Sequence, residues 1–404
     1  MNYTKQRPIR LVFFSFGILE QGGGFENYLL STARGLADHY EDLEISIVTM
    51  SPEIVEKLQH LLTIYFMRVQ KPTAIYRETY ESVKKKLGDV TYTRADSLKE
   101  LRFLLQQADV IYSKNEVLEL AVLNRIGLRK LPPVILGVHT PIYYPNTPSL
   151  SAKLHNFLYT GALYRRLIKR VWSVQVNNAD DLAFVKQKLH FSNVRVVRQA
   201  IDIPDLKDLP LERTTLNILF VGRLTEAKGI TLLLETIKLL QQEQPGTFSV
   251  QIAGSGDAAM TRQVERLATT IPAVQYLGHV ESGQISKLYD WADATIITSN
   301  YETLNKVAIE TALAGKVAVC TDIPGPREII TDGVTGFLLP LEPRAFVDCL
   351  ARLAAQKLED PAVLQRMGRA AYHHVKHEFN AHEVYLDMYQ ELLTITKGPH
   401  RIAA

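Results

Sequence analysis

The 404 residues carry 46 Lys and Arg against 43 Asp and Glu, a formal charge of +3, and 46% of them are hydrophobic. That balance excludes a disordered tail or a fibre, and the length suits two domains that each bury a core of their own. Cys320 and Cys349 are the only cysteines; their spacing supports neither a disulfide framework nor a zinc module, so a reducing cytoplasm is the simplest setting.

The near-neutral total hides an asymmetry. Residues 1–200 hold 27 basic and 18 acidic residues and the remainder 19 and 25, so the halves are +9 and −6. Between Glu119 and Asp180 there is no acidic residue, while Arg125, Arg129, Lys130, Lys153, Arg165, Arg166, Lys169 and Arg170 all fall in that gap. A one-signed stretch of this length points to an anionic partner for the first half.

In chain order, Lys5, Arg7 and Arg10 precede an apolar run from Leu11 to Leu19, as in a secretory signal. Glu20, Gln21 and three glycines follow where a small-residue cleavage site would stand, which favours a buried first strand. No apolar stretch approaches the ~18 residues that span a bilayer, so a soluble protein, at most peripheral on a membrane, is expected. From there, short β-branched runs alternate with helical patterns, the mark of parallel sheets covered by helices.

Both halves open alike. Ile9 to Phe16 is a strand leading into Gly22, Gly23 and Gly24 and a helix from about Phe25 to Leu36; Leu216 to Val221 leads into Gly222, Arg223 and a helix from about Ile230 to Leu240. Further strands are expected at Ile45 to Thr49, Val110 to Tyr112, Val134 to Val138, Ser173 to Val176, Val250 to Ala253, Ala294 to Thr298 and Val317 to Cys320. Residues 203–215, with Pro204, Pro210 and five charges, read as a linker between domains 1–202 and 216–380. Val363 to Lys376 and Ala381 to Leu393 are amphipathic helices. Leu163, Tyr164, Leu167, Ile168, Val171 and Trp172 recur at helical spacing with Arg165, Arg166, Lys169 and Arg170 opposite, a basic amphipathic helix that is either packed with a solvated face or docked on anionic lipid.

Four segments are candidates for chemistry. Gly22 to Gly24 is a turn without side chains that either faces a diphosphate or merely turns tightly from strand to helix. Gly254-Ser255-Gly256-Asp257-Ala258-Ala259 fits the dinucleotide fingerprint in its Gly/Ala form. It lacks the acidic residue expected about 20 positions on, where Val274 to Leu277 stands, so a structural turn or another nucleotide site is the stronger reading. Gly222-Arg223 with Lys228-Gly229 puts two cations at the mouth of a strand, where open α/β sheets bind ligands. In Ser299 to Gly315 a strand ends in polar residues, Asn305 is a candidate N-cap, Val307 to Leu313 is helical and Gly315 is a stop. Glu302 and Glu310 flank that helix start, where carboxylates can accept hydrogen bonds from sugar hydroxyls and free N–H groups can hold phosphate.

Together, Gly22-Gly23-x-x-Glu26, His139-Thr140-Pro141, Gly222-Arg223 with Lys228-Gly229, Gly254-Ser255-Gly256, Glu302-x7-Glu310 and Pro324-Gly325 with Glu328 resemble family 4 of the GT-B glycosyltransferases, most closely from Leu216 to Leu339. The resemblance implies an α/β fold of two Rossmann-like domains facing across a cleft, with residues 381–404 forming a helix that crosses back to the first domain. It implies retention of configuration, no metal and no cofactor beyond the nucleotide-sugar substrate. Arg223 and Lys228 would hold the donor diphosphate, Glu310 the ribose hydroxyls and Glu302 the transferred sugar; Gly22, Gly23 and Gly24 would close on the phosphates, and His139 would lie by the transferred sugar. The family usually has glycine where Asn305 stands and an apolar residue where Lys306 stands; Asn305 tolerates unusual backbone angles, and Lys306, beside Val307, could add a phosphate contact. The expected partners are a nucleotide-sugar donor and an anionic acceptor or membrane surface, with no nucleic acid. A non-catalytic sugar-nucleotide-binding protein and an NAD-dependent oxidoreductase are the rival readings.

Overall fold

The computed structural model describes residues 7–17, 19, 24–55, 79–114, 117–144, 150–207 and 215–398. The chain divides into two compact units, Met1–Ala200 with Ala381–Ala404, and Ile201–Asn380. The second unit thus begins at Ile201, within the segment expected to end the first domain. Residues 208–214 of the expected linker lie outside the described residues.

The first unit holds seven strands, β1 (Ile9–Ser15), β2 (Leu43–Met50), β3 (Thr91–Ala95), β4 (Val110–Lys114), β5 (Val134–Gly137), β6 (Ser173–Val176) and β7 (Val194–Val196). They form one sheet in the order β3-β2-β1-β4-β5-β6-β7, with every pairing parallel. The run that begins at Leu11 is therefore a central strand, with Leu11, Val12, Phe13 and Phe14 all buried. Parallel strands need helical crossovers on both faces, which is why a central strand is apolar without alternation.

The second unit repeats the plan with β8 (Leu216–Val221), β9 (Phe248–Ala253), β10 (Val274–Gly278), β11 (Ala294–Ile297), β12 (Val317–Thr321) and β13 (Gly336–Leu339). Their order is β10-β9-β8-β11-β12-β13, again parallel throughout. In both sheets the strand order reverses beside the first strand, so the sites favoured for ligands lie past the carboxyl ends of β1 and β4 and of β8 and β11.

Each unit is closed by a feature distant in sequence. The Ala381–Lys397 helix belongs to the first unit. Its Tyr385 occupies room left by Gly35, where a Cβ would stand 2.1 Å from the phenolic oxygen, and Tyr389 stacks on Tyr40 at 4.1 Å. Glu391 accepts from Ser173 Oγ at 2.7 Å and pairs with Arg195 at 2.5 Å, which ties the helix to β6 and β7. In the second unit, Lys357 of the Pro343–Glu359 helix is only 4% exposed. Its Nζ donates to Asp293 Oδ2 at 2.5 Å and to the Thr215 carbonyl at 3.0 Å, and Asp293 Oδ2 accepts from the Asn217 amide at 2.8 Å. A buried charge this well satisfied fixes the approach to β8; removing one partner would strand the other.

The structure corrects the basic helix. It runs only from Ala162 to Ile168, Lys169 caps it, and Arg170 lies beyond its end, donating to Asn124 Oδ1. Tyr164, Leu167, Ile168 and Val171 are buried as expected, but Leu163 is 66% exposed, on the outside with Arg165 and Arg166.

In the Ala362–Glu378 helix, a Cβ on Gly368 would stand 1.9 Å from the Gly315 carbonyl oxygen. Helix propensity favours alanine there by about 1 kcal/mol, but backbone cannot yield cheaply. Gly368→Ala is expected to destabilise by about 1–3 kcal/mol, whereas Gly283→Ala, with open space at its Cβ, should leave stability unchanged or raise it slightly. Paired thermal unfolding of the two variants checks this.

Candidate active site

In the second unit the loops after β8 and β11 meet through their backbones. The turn Glu226–Lys228 ends at Gly229, whose φ is +68° and whose Cβ position lies 1.7 Å from the Thr298 carbonyl oxygen. Only glycine meets both demands. The turn is further sewn to the end of β11 by Thr298 Oγ1 donating to the Lys228 carbonyl at 3.0 Å and by the Asn300 amide donating to the Ala227 carbonyl at 3.0 Å.

That seam decides where Lys228 points. Its Nζ forms an ion pair with Glu302 Oε1, which also accepts from Ser299 Oγ at 2.8 Å. Both side chains keep partial access to solvent, 27% and 15%. The backbone of Glu302 is held by the Gly325 amide at 2.8 Å, and a Cβ on Gly325 would come within 2.9 Å of the Glu302 carbonyl oxygen. Pro324-Gly325 is therefore a support for Glu302. Arg223, on the β8 loop, is exposed, and its guanidinium has no partner among the described residues.

Asn305 is the N-cap of the Lys306–Leu313 helix, its Oδ1 accepting from the Ala308 amide at 2.9 Å. Its φ of −102° is ordinary extended backbone, so the expected tolerance for unusual angles is not called on: asparagine stands here as a cap. Lys306 and Val307 begin the helix with their amides at its positive end. Lys306 is exposed there, a cation at the end of the helix that disfavours it and that an anion would relieve.

Glu310 is reached by Tyr289, whose Oη donates to Oε2 at 2.8 Å. Glu310 is open to solvent at its surface, yet enough protein surrounds it that desolvation holds its pKa above the usual 4.5, against the opposing Tyr289 hydrogen bond and Lys306 charge. Tyr289 itself is buried, which with the adjacent carboxylate pushes its phenol well above 10 and keeps it a donor. Nothing in the sequence pattern singled out Tyr289: it lies on the Ser282–Trp291 helix, whose own apolar spacing accounts for it.

The Gly254-Ser255-Gly256 turn has a structural explanation. A Cβ on Gly254, whose φ is +146°, would stand 1.8 Å from the Gly222 carbonyl oxygen, and one on Gly256 would stand 2.3 Å from that of Leu224. The two loops are joined by the Leu224 amide to the Ser255 carbonyl at 3.1 Å and the Asp257 amide to the Leu224 carbonyl at 2.9 Å. These glycines let the backbone beside Arg223 lie against its neighbour, which removes the need for a dinucleotide to explain them.

In the first unit, His139 follows β5 on a loop. Its Nε2 lies 3.0 Å from Tyr112 Oη, which lies 3.3 Å from Tyr28 Oη, and its ring sits 4.1 Å from that of Tyr28. Burial holds the Tyr112 phenol well above 10. Gly137 makes room for the group, since a Cβ there would meet Tyr112 Oη at 1.9 Å and His139 Nε2 at 2.7 Å. Neither tyrosine stood out in the sequence. Gly24 opens the Gly24–His39 helix with Glu26 in its first turn; Gly22 and Gly23 lie outside the described residues.

Comparison with known proteins bears on the same segments. Residues 215–356 match the family model of glycosyl transferases group 1. Glycogen synthase of Mycobacterium tuberculosis is 29% identical over 263 residues, 60% of this chain and 61% of that protein. D-inositol 3-phosphate glycosyltransferase of Streptomyces avermitilis is 30% identical over 179 residues, 42% of this chain and 38% of that one. The matched region thus spans less than two thirds of either relative. In three dimensions, sucrose-phosphate synthase from Thermosynechococcus elongatus superposes with a TM-score of 0.70 at 15% identity over 96% of this chain and 99% of that one. Anabaena HepE, in complex with UDP and glucose, superposes with 0.68 at 17% identity over 96% and 100%. The family match is thus confined to residues 215–356, while the whole chain has the two parallel-sheet, Rossmann-like units of the GT-B fold.

Proposed function

We propose that this chain is a retaining glycosyltransferase that moves a sugar from a nucleotide-sugar donor to an acceptor, without a metal. The observation that carries the reading is the arrangement past β8 and β11: the Lys228–Glu302 pair, the exposed Arg223 guanidinium, without a partner among the described residues, and the capped helix bearing Glu310 all stand where the strand order reverses. In this reading Arg223 and Lys228 meet the diphosphate, aided by the amides of Lys306 and Val307. As the bond to the sugar breaks, negative charge grows on the leaving diphosphate, and preorganised cations and a helix N-terminus stabilise it. Glu310, oriented by Tyr289, accepts from the ribose hydroxyls.

Glu302 binds the hydroxyls of the transferred sugar, with Ser299 and Lys228 holding one of its oxygens. His139, held within the first unit by Tyr112, is the residue that the resemblance assigns to the transferred sugar. Retention of configuration and membership of family 4 rest on the resemblance of Glu302-x7-Glu310 and its neighbours. The match to glycogen synthase and to an inositol phosphate glycosyltransferase supports sugar transfer as the reaction class. Because HepE has been solved with UDP-glucose, UDP-glucose is the first donor to test. The cytoplasmic setting rests on Cys320 and Cys349 being free and buried, their thiols raised by burial, Cys349 to about 11. No helix among the described residues is long and apolar enough to cross a membrane.

Single substitutions Lys228→Ala, Glu302→Ala and Glu310→Ala are each expected to lower donor turnover by about 10²–10³-fold with the thermal transition retained, and EDTA should leave wild-type turnover unchanged. Full activity in all three variants would overturn the assignment, and a proton NMR spectrum of the product tests retention.

Glu310 must be ionised to accept from two hydroxyls. With its pKa raised by desolvation, donor binding should weaken as pH falls through a midpoint above 4.5, rather than at the ordinary carboxylate value. Tyr289→Phe removes a hydrogen bond that favours the ionised form, so its midpoint should move higher still. Glu310→Gln should bind more weakly and lose the step. Calorimetric titration across pH reads all three.

A further inference from the structure

The crossover from β5 to β6 carries a helix turned inside out. In Leu150–Thr160 the buried positions are Ala152 and Tyr159, while Leu150, Leu154 and Phe157 are 79%, 43% and 71% exposed. At 100° per residue those three fall within an arc of about 60° opposite the buried face. The inner side packs Tyr159, with Leu158 partly buried beside it, against the core and is pinned by polar contacts. Asn156 accepts from the Tyr144 amide and donates to the Tyr144 carbonyl, both at 2.8 Å, and His155 Nε2 lies 2.8 Å from the Pro141 carbonyl oxygen with its ring stacked on Tyr159. The following helix adds Leu163, 66% exposed.

An ordinary surface helix places its apolar residues inward. Here Leu150, Leu154 and Phe157 face out while Tyr159 packs inward, and the exposed charges on this helix and the next have one sign. Lys153, Arg165 and Arg166 are exposed on the same two helices and Lys169 at the cap of the second, within a stretch of sequence that has no acidic residue between Glu119 and Asp180. Apolar side chains rimmed by lysine and arginine suit insertion to the level of the acyl boundary beneath anionic headgroups. They do not suit a second copy of the chain. An isologous contact would set this cationic surface against itself, with no carboxylate from the same stretch to answer it.

We propose that Leu150, Leu154, Phe157 and Leu163, with Lys153, Arg165 and Arg166, form a docking surface for an anionic phospholipid bilayer. The polar face drawn from the sequence for the Arg165 helix gives way to a mixed surface, in which Leu163 is exposed along with Arg165 and Arg166. The test is co-sedimentation of the full chain with vesicles of phosphatidylcholine alone or with 30% phosphatidylglycerol, at low and high salt, beside sedimentation velocity without lipid.

Wild type is expected to bind the anionic vesicles at least tenfold more tightly than the neutral ones, and less so at high salt. Leu154→Gln/Phe157→Gln, which changes no charge, and Arg165→Gln/Arg166→Gln should each lose binding tenfold or more; thermal unfolding and donor turnover should be unchanged, as every substituted side chain is exposed. Equal binding to both vesicles, or unchanged binding by both double variants, would overturn the proposal. So would a wild-type dimer that Leu154→Gln/Phe157→Gln dissociates while no lipid is bound; that result would assign the surface to a second copy.

Discussion

The contact on which the second unit's chemistry depends is the approach of Gly229 to the Thr298 carbonyl oxygen, where a Cβ would stand at 1.7 Å. It brings the turn after β8 against the end of β11, across the point where the strand order reverses. Lys228 precedes that glycine and Glu302 follows that strand, so one backbone contact brings a cation and a carboxylate, 74 residues apart in sequence, into an ion pair. Gly325 fixes the Glu302 backbone from the other side, and Gly254 and Gly256 do the same for the loop that bears Arg223. Four glycines here stand for side chains that have no room, and the charged groups take their positions from those contacts.

The two units are stabilised in different ways. The second relies on a buried pair, Lys357 with Asp293, that draws in the Thr215 carbonyl and the Asn217 amide at the start of β8. Such a pair adds less to net stability than to definition, because desolvation offsets much of the attraction. The first unit relies on the Ala381–Lys397 helix, which returns from the far end of the chain to cover the sheet with Tyr385 and Met388 and to meet Arg195 with Glu391. Its packing against Gly35 has the same logic as Gly229: an aromatic ring fills the room a missing side chain leaves.

The central strands are legible because burial on both faces makes them largely apolar runs, as at β1, β5 and β12. The four strands not anticipated, β3, β7, β10 and β13, are the edges of the two sheets. An edge strand has one neighbour and more solvent, so it carries polar residues and no clear run, as in Thr91–Ala95 and Val274–Gly278. The outward face of Leu150–Thr160 was illegible for a related reason: the letters show an apolar period but not which way it points. Spacing alone places Leu163 on the buried side, whereas the structure leaves it 66% exposed.

By itself the sequence determined the residue types that the chemistry needs and their order: two cations past one strand, two glutamates about a helix start, and glycines at the turns. Those are local facts, set by the backbone preferences of glycine, asparagine as a cap and apolar runs in parallel strands. Only the tertiary structure decided which groups meet. Tyr289 reaches Glu310 and Tyr112 reaches His139 from other elements, and Lys228 finds Glu302 through a glycine contact. Such pairings depend on how strands order and loops cross in space, and neither the spacing nor the period of the letters encodes that.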